Sequence, residues 1–501
     1  MLKDPLYKLV VKLTILLAAS IAICRATNGY GFFAIAAVGT FYALRGEAGV
    51  AIFAYALIPF FTLLNPLILP KAPFFPIVSR LTTLGIAAAL ILGGARRKGS
   101  EQLPLGYVFI YLPIALISSF QGYFPLISYF KILNFAAFIM GLHVGTKNID
   151  QNQEAVFFAR AGFLAIAILL VWGSLATLPF PSIAYFTSIR NVIGSEGIEA
   201  AEDVLAESTG SGLFTGITTH SQFLGPCLAI LGGWVACDML FVERRLRPLH
   251  LLLLIPIPLM IAMTRARVGI LTFCMLIVFL LFYCIPRINL PAKERKWISY
   301  MLYAFIAVFF IVAAAAEIKR GSISRLVRKT NDMSEDSRSL LEAVTSSRQG
   351  KIAECMRDFH ANPLWGMGFQ VSEDHRLKYQ LGEVSIFSAS IEKGILPLMV
   401  LGETGIIGSI AFLLFLFFFY HDAMLNGYIA TITLFSTLIV SNMAEATFFS
   451  PGGGGGFFWM IAVCGGFLID MCVKTNSQQP RAVMGQAPLN PYRRTRIPFT
   501  P

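Results

Sequence analysis

Charge is what this sequence has least of. Only 14% of its 501 residues are Asp, Glu, Lys or Arg, while 56% are hydrophobic; a soluble domain usually carries about 25% charged residues. A soluble globular chain of this length is therefore excluded. The composition predicts an all-α, polytopic membrane helix bundle, with the length spent on spans rather than on several soluble domains. The eight cysteines (Cys24, Cys227, Cys237, Cys274, Cys284, Cys355, Cys464 and Cys472) contain no C-x-x-C pair, and seven lie in or at the ends of apolar segments. That speaks against a disulfide framework or a thiolate metal site, and no metal is expected. No internal repeat is visible. Pro451 to Gly456 lacks the strand and helix of a phosphate loop and reads as a flexible turn. The net charge of +12 would suggest nucleic acid in a soluble chain. In a membrane chain, basic residues at helix ends set topology, so no nucleic-acid partner is expected.

What is present is a succession of apolar segments. Fourteen are long enough, or nearly so, to span a hydrocarbon core of about 30 Å: 9–24, 29–44, 50–70, 74–94, 103–120, 124–144, 156–179, 214–241, 249–263, 268–285, 298–316, 394–420, 427–446 and 456–473. A range of 12–14 helices follows, because several are short and 249–263 also holds Pro256 and Pro258. The first run follows Lys3 and Lys8 and has a signal-peptide flavour. Further spans follow at once and no small-residue cleavage site stands out, so it is expected to be an uncleaved first helix. With both termini cytoplasmic, inner ends and loops hold 19 Lys and Arg, while the short outer loops hold 5: Arg25, Lys71, Arg190, Arg265 and Arg267. That asymmetry is the positive-inside pattern. Residues 1–473 form one transmembrane domain, and 474–501 form a basic, Pro-rich, disordered cytoplasmic tail.

Two outer loops interrupt the pattern, 180–213 and 317–393. The first is acidic in its middle, with Glu196, Glu199, Glu202, Asp203 and Glu207. The second holds 12 Lys and Arg and 11 Asp and Glu in 77 residues. Within it, Ile352, Cys355, Met356 and Phe359 recur at helical spacing, predicting a short amphipathic helix that Asn362-Pro363 ends. The plain expectation is that this helix packs on the membrane surface or on the bundle.

Intramembrane charge is expensive and asks for a reason. Lys12 and Arg160 lie near cytoplasmic helix ends and are expected to snorkel to water. Arg80 and Lys131 lie about two turns in from the outer ends of their helices, where either snorkelling or a binding role is open. Arg265 and Arg267, in Thr264-Arg265-Ala266-Arg267-Val268-Gly269, put positive charge on a very short outer link, against the trend. Guanidinium groups bind phosphate bidentately and stay charged. Arg265, Arg267, Arg348, Arg80 and Lys131, converging at the outer boundary, would hold the diphosphate of a lipid carrier whose tail stays in the bilayer. They would also stabilise charge developing on the leaving group.

These residues carry a resemblance. Thr264–Gly269 followed by Ile270-Leu271 resembles the T-x-S-R-x-G stretch of the O-antigen ligase and polymerase superfamily. Ser347-Arg348 with Asn362-Pro363-Leu364-Trp365-Gly366-Met367-Gly368-Phe369 resembles its loop helix and P-x-x-G-x-G-F turn. Leu401-Gly402-Glu403-Thr404-Gly405-Ile406-Ile407-Gly408 is similar to its E-x-G-x-x-G helix start, and Gly216 with His220-Ser221-Gln222-Phe223-Leu224-Gly225 to its G-x-x-x-H-P-N-x-L-G segment. The matches span about 216–408 in the family's order. The resemblance implies a bacterial inner-membrane glycosyltransferase without nucleotide sugar, metal or other cofactor. Its donor would be an undecaprenyl-diphosphate-linked glycan, its acceptor a glycan or lipid at the outer face, with membrane lipids and polysaccharide-assembly proteins as further partners. Arg267 and Arg348 become the diphosphate-binding arginines, with His220 on the substrate side. The family's histidine before the E-x-G helix is missing: Ser390-Ile391-Glu392-Lys393-Gly394-Ile395 stands there. Glu392 is the nearest candidate base, unless it pairs with Lys393 or a loop arginine; His220, His360 and His375 are others. The missing histidine favours a polymerase or exopolysaccharide enzyme over a lipopolysaccharide ligase. A flippase for lipid-linked oligosaccharides is the competing reading; against it, the long loop has no counterpart in a second half. A scaffold of an envelope-assembly complex is the third.

Overall fold

In lipid, every backbone polar group must find its partner inside the protein, so a long apolar segment folds as a helix. The computed structural model describes residues 4–70, 75–95, 103–147, 149, 152–185, 213–287, 300, 340–372, 394–443 and 446–478, with backbone only at 76, 340–349 and 476–478. The main helices are α1 (Pro5–Ala26), α2 (Phe32–Leu44), α3 (Ala48–Leu63), α4 (Phe75–Ala95), α5 (Pro104–Phe120), α6 (Pro125–Gly145), α7 (Gln153–Ala176), α8 (Ser221–Glu243), α9 (Pro248–Thr264), α10 (Arg267–Arg287), α11 (Leu340–Ala361), α12 (Leu396–Leu425), α13 (Ile429–Ser441) and α14 (Gly454–Thr475). No strand occurs among the described residues, where extended pairing is limited to one bridge, Leu64 with Thr218.

Among the described residues, eight helices are long and apolar enough to cross a membrane: α1, α4, α6, α7, α8, α10, α12 and α14. α2, α3, α5, α9 and α13 are apolar but shorter. Large side chains face outward along them, including Ile15, Leu92, Leu133, Phe282 and Phe417. A belt of that kind is a lipid-facing surface, which a soluble monomer does not tolerate. The chain is a multi-pass membrane protein whose described residues build a helical bundle. Apart from Tyr300, the expected segment 298–316 lies outside the described residues, as do 186–212, 373–393 and 479–501.

Two segments are less helical than their hydropathy predicts. α3 stops at Leu63 and α8 starts only at Ser221. The extended stretches between pair with each other: Asn65 N donates to Ile217 O at 2.8 Å, and Thr219 N to Leu63 O at 3.0 Å. Irregular backbone survives at this depth because protein, not lipid, satisfies it. α9 is two pieces, Pro248–Leu254 and Pro256–Thr264, since Pro256 and Pro258 remove donors from its ladder. The turn at 451–456 is packed rather than flexible. A Cβ on Gly455 or Gly456 would come within 2.0 Å of the Thr447 or Pro451 carbonyl oxygen.

Contacts sort the helix termini into two ends. At the first, Arg25 Nη1 donates to Leu67 O (2.6 Å), Phe214 N to Met263 O (3.2 Å), Tyr123 N to Met367 O (3.2 Å) and Leu396 N to Asn442 O (3.0 Å). At the second, Arg247 pairs with Asp4 (3.2 Å), Cys284 meets Thr433 (3.0 Å) and Asp470 accepts from Thr431 (2.7 Å). The apolar helices run alternately between these ends. α11 instead packs beside α12 at the first end: a Cβ on Gly402 would sit 2.8 Å from Cys355 O and 3.5 Å from Asp358 Cβ. The expected amphipathic helix thus exists and docks on the bundle, with Cys355 and Asp358 on its buried face.

Candidate functional site

The first end is built on a broken helix. α12 loses helical geometry at Gly405 (φ 64°, ψ −164°), a region of backbone space essentially restricted to glycine. The break frees backbone groups in a buried place, and such groups must be paired. Residues 362–370 supply the partners. Pro363 O accepts from Ile406 N (2.9 Å) and Leu364 O from Ile407 N (3.3 Å), while Met367 N and Gly368 N donate to Gly402 O and Glu403 O (both 3.0 Å). Gly366 (φ 72°) allows the closest approach: a Cβ there would lie 2.3 Å from the Glu403 carbonyl carbon, and one on Gly405 would lie 2.4 Å from that of Leu364. The Pro363–Phe369 turn and the Gly402–Gly408 break within α12, far apart in sequence, therefore form one joint.

The α5–α6 link clamps that joint from the other side. Ser118 Oγ donates to Glu403 O (2.5 Å), Phe369 N to Ser119 Oγ (3.3 Å), Asn362 Nδ2 to Gln121 Oε1 (2.9 Å) and Tyr123 OH to Asp358 Oδ1 (2.9 Å). Asp358 and Glu403 are buried.

Lys131 comes off α6 beneath this clamp. It is 6% exposed, and its Nζ donates to Gln370 O at 2.7 Å. Gln370 has φ 53°, so the turn's end is bent to present that carbonyl. Lys131 shares a pocket with Arg80, Phe130, Asn134, Gln370, Ser450, Pro451 and Gly452. Arg80 lies along Gly452, where a Cβ would be 3.5 Å from its Cγ. The pocket is about 20 Å³, room for about one water, so a larger anion would be met at its mouth. Two cations around one small pocket repel each other unless an anion neutralises them.

The other expected cations stand at neighbouring helix ends. Arg265 caps α9 in the left-handed conformation (φ 50°), and Arg267 opens α10; both are half-buried. Between them, Ala266 N donates to the buried Thr264 Oγ1 (3.2 Å). α8 and α10 cross closely here: a Cβ on Gly269 would lie 2.7 Å from the Gly225 carbonyl carbon. His220 precedes α8, half-buried, its ring 6.5 Å from Phe223. Phe223 in turn fills the space over Gly454, two residues beyond Gly452. Arg80 and Lys131 are thus brought to one pocket. Arg265, Arg267 and His220 lie at the same end but are not among the residues lining it. The backbone of Arg348 is in α11, about two turns before Cys355; its side chain, Glu392 and His375 lie outside the described residues. His360 is exposed beside Phe359.

Arg160 corrects an expectation. It does not snorkel; it is 7% exposed. Its Nε and Nη2 bind Asp238 Oδ1 and Oδ2 (2.6 and 2.9 Å), and Nη2 also reaches Glu243 Oε1 (2.6 Å). His250, fully buried, meets Asp238 Oδ2 at 2.8 Å. Glu243 Oε2 holds Arg247 (2.6 Å), which also reaches Asp4. Burial disfavours the Arg247 charge, but the hydrogen bond and charge of Glu243 outweigh it and leave the pKa above the usual arginine value. This network stands at the second end. Its signal in the sequence was Asp238 inside an apolar segment, because such a carboxylate requires a partner.

Comparison of the chain with protein-family models, with curated proteins and with solved structures gives no match.

Proposed function

We propose that this protein is a bacterial inner-membrane glycosyltransferase. It moves a glycan from an undecaprenyl-diphosphate-linked donor to a lipid or polysaccharide acceptor, as an O-antigen or exopolysaccharide polymerase or ligase. The observation that carries the reading is the pocket of Arg80 and Lys131, closed by the turn that follows the arginine-bearing helix α11 and lying at the same end as Arg265 and Arg267. That end is the outer face. Both termini are cytoplasmic, the loops 180–213 and 317–393 are extracytoplasmic, and about fourteen helices cross. The 19-to-5 bias of Lys and Arg supports this orientation. So does the path of the chain, which leaves α10 at the second end and re-enters at the first with α11, with the apolar segment 298–316 between.

In the reaction, an acceptor hydroxyl attacks the anomeric carbon. The new glycosidic bond forms as the bond to the diphosphate oxygen breaks, and the electron pair leaves with the diphosphate. Arg267, Arg348, Arg265, Arg80 and Lys131 bind that anion and favour its growing charge. The hydroxyl proton passes to a base, for which Glu392 is the sequence's candidate; His220 lies on the substrate side.

The test is purified protein in detergent with lipid-linked repeat units and acceptor. Sugar transfer without ATP or an ion gradient supports the enzyme. The competing reading, a flippase of lipid-linked oligosaccharides, is favoured by one observation: the buried Arg160–Asp238–His250 network, of a type found in ion-coupled transport. Passage of intact lipid-linked sugar between leaflets, with no transfer, selects it.

A further inference from the structure

The second end carries a feature that the transfer reaction leaves unused. Between α8, α9 and α10 lies a groove of about 480 Å³, lined by apolar side chains including Ala236, Leu240, Leu251, Pro258, Phe273 and Leu280. Its volume falls within the range of about 300–1,000 Å³ typical of ligand sites. The groove runs along the interrupted part of α9, where the nitrogens of Pro256 and Pro258 cannot donate to the carbonyls of Leu252 and Leu254. Ile255 is 72% exposed and Leu259 63%, so the groove opens to the hydrocarbon.

Its end meets positive charge. Leu246, which lines the groove, directly follows Arg244 and Arg245. Arg244 adopts φ 51°, which turns the chain out of α8, and both arginines are exposed. The nearby carboxylate is already occupied: Glu243 Oε1 holds Arg160 and Oε2 holds Arg247, each at 2.6 Å, leaving Arg245 a contact of 4.0 Å. Among the described residues, Arg244 has no carboxylate within ion-pair distance.

We infer that this groove binds one anionic phospholipid, its acyl chain along the apolar wall and its phosphate at Arg244 and Arg245. A neutral lipid satisfies the wall but not the arginines. A free anion satisfies the arginines but leaves the wall unfilled.

The probe is Phe273→Trp, placed inside the groove, in vesicles of phosphatidylcholine doped with acyl-brominated phosphatidylglycerol or acyl-brominated phosphatidylcholine. Quenching is compared with protein lacking the added tryptophan. Brominated phosphatidylglycerol should quench at roughly ten- to thirtyfold lower mole fraction, as two basic residues near the surface predict. The double variant Arg244→Asn/Arg245→Gln should erase that preference without changing quenching by the phosphatidylcholine probe. Asn tolerates the left-handed backbone at 244, which keeps the fold. Native mass spectrometry of protein without the tryptophan should find one retained phosphatidylglycerol, lost in the double variant. Equal quenching by the two lipids, or a preference that survives the double substitution, overturns the inference.

Discussion

Arg160 is held by two carboxylates that an unbroken α-helix would not aim at one place. Residues five apart on an α-helix point roughly 140° away from each other. The backbone of α8 widens to a π-helix over Asp238–Glu243, which brings the first and last of these residues to one side. Removing Arg160 would leave Asp238 buried without its main counter-charge, and breaking such a pair costs about 3–5 kcal/mol. Arg160→Met is therefore expected to lower the thermal unfolding midpoint in detergent by many degrees. Arg160→Met/Asp238→Asn should recover part of the loss, because the uncompensated charge goes with its partner. A single variant as stable as the parent would mean that the network does not hold the second end together. Lys131 invites a different experiment. Lys131→Met keeps the length but removes both the charge and the donor to Gln370, a charged hydrogen bond of about 1.5–3 kcal/mol. Donor affinity, read as the concentration needed for half-maximal transfer, should weaken about tenfold or more, with unchanged protein in the membrane. An unchanged half-maximal concentration would remove Lys131 from the site.

α11 and the turn after it were the elements most legible in the sequence. Their apolar spacing and the Asn362-Pro363 stop are local signals, and local signals survive without knowledge of the fold. Their partner was legible only as a pattern. Nothing in Gly402–Gly408 states that a helix breaks at Gly405, because the break is stable only with the 362–370 turn seated in it. The ion-pair network was missed for a related reason: a period of 3.6 residues cannot report a π-helix, and Arg160 is 78 residues from Asp238. The Arg80–Lys131 pocket was half legible; the depth of both charges was, the bond from Lys131 to the Gln370 carbonyl was not. The joint makes its own prediction. Gly405→Ala places a Cβ in a forbidden conformation and against Leu364, at a cost of about 1–3 kcal/mol from the strain alone. α11 should then release from α12, so that trypsin cuts after Arg357 faster and transfer activity falls. Gly350→Ala, on α11 itself and with nothing among the described residues within 4 Å of the added carbon, should leave both unchanged. Equal trypsin rates in the two variants would show that the joint does not position α11.

At the scale of the molecule, the division into two ends rests on many independent contacts, whereas the assignment of those ends to the two sides of a membrane rests on charge. The two parts can be tested separately by single added cysteines, with a membrane-impermeant thiol reagent on spheroplasts and on inverted vesicles. The native thiols are buried or half-buried, so the background is the parent protein's labelling. Asn28 and Gln121 stand at the first end, Arg245 and Asn426 at the second. A cysteine at Asn28 or Gln121 should label from outside in spheroplasts, and one at Arg245 or Asn426 only in inverted vesicles. If Gln121 and Arg245 label from the same side, the alternation of the helices is wrong. If the two pairs separate but with sides exchanged, the fold stands and the orientation reverses. Arg80, Lys131, Arg265 and Arg267 would then face the cytoplasm, where nucleotide sugars are available, and a lipid-diphosphate donor would lose its physical reason. Labelling in the expected order leaves the basic pocket on a side where sugar must arrive already attached to a lipid, because that carrier alone delivers an activated glycan through the bilayer to the first end.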